Sequence, residues 1–411
     1  MPKIILPNTS TSVKHKNKDF AAFRKNFSPP PHLCPPARLP AGICLPGSET
    51  NRRKTAAYRR LAGGLPMQHR NALTARRDPI KGIAILWVCF FHARLGLENT
   101  PVLGALQQVG YLGVDIFTLL SGYGLWHSLA KAPSAAAYLK RRAARLLPAF
   151  LPVALLWCLL MLPGLGLTGR SAVHTALGTL TMTGYLTHAP FTLNWYLSLL
   201  LVTILLAIPV YALLKNAPRP WLGCLLLMAG AGLCGVAFIG KNQLMLVSRL
   251  PIFVLGMGLA ATRPARQDRK TAALLCLAGF LAGVALLWFG FTKRPDWLLR
   301  YGLYWYPGLL LVPGLCAGLG FLLDGPKENG FRTPLLTALG KASFEIFLFN
   351  GWFELYLKRV LNNNTPLYHL LFMLLSILLG LVWHMAAERL LRRLKKTDST
   401  PLPEEKKEEG Q

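Results

Sequence analysis

From residue 79 onward the chain alternates between two textures. Apolar runs of roughly 18 to 25 residues, each long enough to cross a bilayer as a helix, are separated by short stretches rich in Lys, Arg, Pro and Gly. The runs lie at about 79–95, 109–130, 146–164, 193–214, 219–239, 244–261, 271–291, 300–323, 342–360 and 366–388. They predict an all-α fold, a polytopic membrane helix bundle with about ten transmembrane helices. Segment 165–192 is too polar to span and predicts an extracytoplasmic loop, partly helical, over the bundle. Its His174 and His188 read either as solvated loop residues or as contacts to a substrate.

The cations between the runs give the expected orientation. With a cytoplasmic N-terminus, nineteen Lys and Arg fall in inside loops and eight in outside loops. That asymmetry predicts both termini cytoplasmic. The membrane domain runs from 77 to 391. Ahead of it, 1–76 forms a basic, Pro-rich tail in which SPPPHLCPP argues against a packed core. Residues 1–66 hold twelve Lys or Arg against Asp19 and Glu49. They read as a tail touching anionic lipid, or as an upstream extension ahead of a native start at Met67. Residues 392–411 predict a disordered cytoplasmic tail.

Composition agrees with a membrane protein: 411 residues, 53% hydrophobic, with a mean hydropathy of +0.37. The net charge of +29 could point to nucleic acid, but its cations cluster between apolar runs, so no nucleic-acid partner is expected. Eight cysteines form no CxxC and no metal-like cluster, and six lie inside apolar runs as small core hydrophobes. No metal or bound cofactor is predicted.

Against this background the ionisable residues at membrane depth stand out. KGIAILWVCFFH places Lys81 and His92 eleven residues apart, three turns and about 16 Å along one helix face. Histidine suits proton abstraction near neutral pH, although a neighbouring helix could equally satisfy it. Cys89, one turn earlier, makes a Cys/His nucleophile conceivable, with no group evident to activate the thiol. GVDIFTLLSGYGL puts Asp115 at a depth comparable to His92, able to orient the imidazole or to pair with a cation. Ser121 and Tyr123 follow it. RRAAR at the third run sets Arg142 and Arg145 on one face at the cytoplasmic surface, as a phosphate clamp or a topology anchor. Arg249, Glu345 and Glu388 complete the set, as a polar network or as catalytic groups.

In order, IKGIAILWVCFFHA, YLGVDIFTLLSGYGLWHSL and YLKRRAARLLPAF, with LNWYLSLLL, SRLPIFVLGMGLA and LGKASFEIFLFN after them, resemble the acyltransferase-3 family of integral membrane acyltransferases. The resemblance covers about residues 77–390. It implies about ten spans, a cytoplasmic acyl-CoA donor such as acetyl-CoA, and an extracytoplasmic glycan or lipid acceptor in a bacterial plasma membrane. It matches Lys81 and His92 to the family's basic residue and first-span histidine, and Arg142 and Arg145 to its Arg-x-x-Arg. Asn350 departs from it, since many members carry a histidine there, and the hydrolase-like domain of some members is missing.

The combined expectation is an O-acyltransferase. His92 is its base, with Asp115 as the second catalytic candidate. Lys81, Arg142 and Arg145 hold the donor's phosphates, and Ser121, Tyr123, Arg249 and Glu345 form a polar network. A transporter or flippase is the rival reading, because substrate paths also use intramembrane charges.

Overall fold

A computed structural model of the chain describes residues 76–97, 99–262, 269–323, 332–363 and 365–397. The tail at 1–75, including the alternative start at Met67, lies outside the described residues, as does 398–411. Every regular element among the described residues is helical. In chain order these are α1 (Arg77–His92), α2 (Pro101–Gln108), α3 (Leu112–Ala130), α4 (Ala135–Gly164) and α5 (Gly169–Leu180). Then come α6 (Trp195–Lys215), α7 (Pro220–Val236), α8 (Leu244–Val247), α9 (Leu250–Ala261) and α10 (Arg269–Lys293). The last five are α11 (Pro295–Arg300), α12 (Gly308–Leu322), α13 (Arg332–Lys341), α14 (Ser343–Arg359) and α15 (Pro366–Thr397).

A helix falls on each of the ten expected runs. By length and apolarity, five described spans qualify as membrane-crossing: α4, α6, α8 with α9, α10 and α15. α2 with α3, bent by 43°, makes a sixth if counted as one span, and α7 and α12 are shorter apolar helices. The expected ten therefore exceeds what length alone supports. α1 has only 16 residues, and α14 carries Glu345, Glu354, Lys358 and Arg359 within 17. The long apolar helices leave many leucines exposed, as a lipid-facing surface requires. α15 continues to Thr397, past the expected end of the domain at 391. The sequence RRLKK that was read as tail holds good helix formers and no Gly or Pro.

Caps set the starts. Ser134 accepts from the Ala137 amide at 3.1 Å ahead of α4. Asn194 accepts from the Tyr196 amide at 3.0 Å ahead of α6. Segment 165–192 is partly helical through α5, and its two histidines are tied down. His174 Nε2 meets the Thr187 hydroxyl at 3.1 Å, and the His188 ring meets Gln243 Nε2 at 3.0 Å.

Glycines bring the helices that matter into backbone contact. A Cβ on Gly82 would sit 2.1 Å from the Leu336 carbonyl oxygen, and one on Gly340 only 1.8 Å from that of Asp78. α13 therefore lies flush against the start of α1, beside Lys81. The same device joins α3 to α9, where a Cβ on Gly122 would meet the Phe253 carbonyl oxygen at 2.3 Å. Gly82→Ala must push α1 and α13 apart, and overpacking of this kind costs about 1–3 kcal/mol. The expected result is a lowered unfolding temperature in detergent. Gly230→Ala, whose Cβ meets nothing within 4 Å, should leave the transition in place.

Candidate active site

α1 carries the two ends of the site. His92 is its last residue, and the helix stops there because Ala93 turns to an extended conformation. The amide of Gln107 takes up the freed carbonyls, donating to Phe90 O at 2.9 Å and to Ala93 O. Trp87 Nε1 adds a bond to Leu106 O at 2.8 Å, so α2 holds the end of α1 in place.

His92 Nδ1 lies 2.7 Å from Glu354 Oε2 on α14. The carboxylate can only accept, so Nδ1 donates to it, and Nε2 is the ring nitrogen left to meet a substrate. Both groups line a small cleft shared by Asn350, His369, Phe372 and Met373. A histidine whose second nitrogen is fixed by an acid is built to take a proton.

Asp115 has the other of its two expected partners. Its Oδ1 lies 3.3 Å from Arg249 Nε, with both side chains at most 2% exposed. The guanidinium stacks on Trp195 at 4.9 Å and Trp305 at 5.8 Å from the ring centroids. It also donates to Met245 O at 2.5 Å. The pair joins α3 to the start of α9 and leaves His92 to Glu354. Ser121 bonds the Tyr196 hydroxyl, while the Tyr123 ring sits edge-on to His127 at 4.9 Å. Cys89 is fully buried and faces the Ser376 hydroxyl on α15. No cation activates it there, and the Cys/His pairing is not formed.

At the other end of α1 the cations gather. Arg77 and Arg145 lie within electrostatic reach of Lys81, and Arg142 within reach of Arg77, Arg141 and Arg145. Arg142 lies over the Tyr138 ring at 5.7 Å, and its buried Nε has no hydrogen-bond partner among the described residues. Glu345 faces Lys81 and holds His384 Nδ1 at 3.1 Å. His384 Nε2 in turn lies 3.5 Å from Glu388.

The sequence pattern thus located Lys81, His92 and the arginines, but not Glu354, His384 or His369. Glu354 had a signal, as a carboxylate inside the ninth apolar run. Its partner could not be read without the helix arrangement.

The family profile described as an acyltransferase domain matches residues 78–385. No curated protein and no solved structure matches the chain.

Asp115→Asn removes the counter-charge of a fully buried guanidinium and should destabilise the protein by about 3–5 kcal/mol. Asp115→Leu combined with Arg249→Met should recover most of that loss. Detergent unfolding of the three proteins is the check, and an unmoved transition in Asp115→Asn would show that the pair does not hold the bundle.

Proposed function

The chain belongs to the acyltransferase-3 family of integral membrane acyltransferases, and from that premise we propose that it moves an acyl group, acetyl in the simplest case, from cytoplasmic acyl-CoA to a hydroxyl of a cell-surface glycan or other envelope acceptor. The observation that carries the reading is the pairing of His92 Nδ1 with Glu354 at 2.7 Å, about 16 Å along α1 from Lys81 and its arginines.

Lys81, Arg142 and Arg145, with Arg77 beside them, take the donor's phosphates; guanidinium forks suit such oxygens. The pantetheine arm runs along α1 and brings the thioester to the cleft. His92 Nε2 takes the proton of the acceptor hydroxyl, and the oxygen attacks the thioester carbonyl carbon. Glu354 stabilises the imidazolium that forms. Collapse breaks the carbon–sulfur bond, and His92 returns the proton to the thiolate. Asp115, held by Arg249, ties α3 to the start of α9. Both termini lie in the cytoplasm of a bacterial plasma membrane protein, with the cleft at the outer side. Neither a metal nor a bound cofactor is needed for this chemistry.

One observation favours the rival reading of a transporter or flippase, namely the bend between α2 and α3, since broken spans build transport sites. Here that break serves α1, through Gln107 and the Trp87–Leu106 bond.

Membranes carrying the wild-type protein should consume acetyl-CoA and gain base-labile acetyl esters on an envelope component. His92→Ala should abolish both at equal abundance, and Glu354→Gln should lower turnover about 10²-fold or more. Mass spectrometry of the released acids and the modified glycan reads the outcome. Unchanged turnover in His92→Ala would remove it as the base. Acceptor movement without loss of acetyl-CoA would favour transport.

A further inference from the structure

The cleft that holds His92 and Glu354 has a second histidine. His369, in the first turn of α15, is 5% exposed and lines the same cleft. Its Nε2 is buried with no hydrogen-bond partner among the described residues. An unsatisfied buried ring nitrogen is costly, so a protein that keeps one needs a reason for it. Cys89 and Ser376, which lie nearby in sequence on the same two helices, face each other. His369 Nε2 has no such partner among the described residues. Asn350, from α14, is 6% exposed and also lines the cleft.

The base needs only one side of a thioester. Once the acceptor oxygen adds to the carbonyl carbon, the carbonyl oxygen becomes an anion that requires a donor in the same small, largely apolar space. Phe372 and Met373, the other lining groups on α15, cannot supply one.

We propose that His369 is a catalytic residue that donates its Nε2–H to the oxygen of the acyl carbonyl as negative charge builds there, with the Asn350 amide beside it. This rests on the acyl-transfer reading given above. The electron pair of the carbon–oxygen double bond moves onto that oxygen as the new carbon–oxygen bond forms. It returns when the carbon–sulfur bond breaks. His369 keeps its proton throughout, and the proton taken from the hydroxyl stays with His92 until the thiolate receives it.

The test uses the full-length protein purified in detergent, acetyl-CoA as donor, and membranes of cells lacking the protein as the acceptor source. Thiol release is followed for wild type, His92→Ala, His369→Ala and His369→Gln. His369→Ala should lose about 10²- to 10³-fold in kcat, with the KM for acetyl-CoA held within about threefold, because the lost contact is made only in the transition state. The unfolding temperature should not fall, since an unpaired group has been removed. His369→Gln retains a donor and should recover part of the rate. Turnover of His369→Ala within about threefold of wild type overturns the proposal. So does an equal loss in both variants accompanied by a lowered unfolding temperature, which marks a structural histidine. If wild type releases no more thiol than His92→Ala, the acyl-transfer reading itself fails and the proposal falls with it. The wild-type control separates that result from the other two.

Discussion

A charge carried into an apolar helix bundle must find a counter-charge, because a carboxylate or guanidinium stripped of water and left alone costs more than a whole domain's net stability allows. Three acid–base pairs answer that demand here, one between two full charges and two between a carboxylate and an imidazole. Asp115 holds Arg249, Glu345 holds His384, and Glu354 holds His92. Each joins two different helices, so together they fix which helices are neighbours. The bundle's apolar contacts, which resemble lipid contacts in strength, specify this far less. The pairs differ in one respect that matters for function. Asp115 and Arg249 are sealed at 1–2% exposure, whereas His92 and Glu354 keep 19% and 32% of their side-chain surfaces. A sealed pair is structural by default, and a pair at a cleft can exchange a proton.

That division explains what the sequence could and could not tell. An ionisable residue inside an apolar run is visible at once, and Lys81, His92, Asp115, Arg142, Arg145, Arg249 and Glu345 were all legible in this way. Which acid meets which base was not, since Asp115 and Glu354 each sit near one end of an apolar run. The choice is made by glycines whose lost side chains admit a neighbouring backbone, such as Gly82 against Leu336 and Gly122 against Phe253. Nothing in a hydropathy pattern says which of the many glycines does this. His369 was missed for a related reason: near the start of an apolar run it resembles an interfacial residue, and only packing shows it buried. Length and apolarity alone support five or six of the ten expected spans among the described residues, and α1 and α14, which carry the polar groups of the site, are among the helices too short or too charged to qualify on those grounds. A site inside a membrane weakens the very signal by which spans are found.

α1 and α14 can be treated as a pair of rulers. Lys81 and His92 stand about 16 Å apart, and Glu345 and Glu354, nine residues apart, about 14 Å. Glu345 faces Lys81 and Glu354 holds His92, so the two helices run side by side in the same direction with their polar groups matched at both ends. Between those ends α1 turns apolar residues inward: Ala84, Ile85 and Val88 are fully buried. In the reading proposed above, the donor headgroup has its place at the cationic end and the thioester is delivered to the other.

The two histidines of the cleft occupy opposite helix termini, and this assigns them unlike tasks. His92 closes α1 at the negative end of the helix dipole, and Glu354 Oε2 lies 2.7 Å from its Nδ1. In the reading proposed above, this ring takes the proton of the acceptor hydroxyl. His369 lies in the first turn of α15, where the dipole has the opposite sign and a cation gains nothing. In the same proposal, this ring offers an N–H to the acyl oxygen. Acid–base catalysis and oxyanion stabilisation need these two behaviours from one small cleft. Placing one imidazole at the end of a helix and the other at the start of its neighbour supplies both with the same side chain.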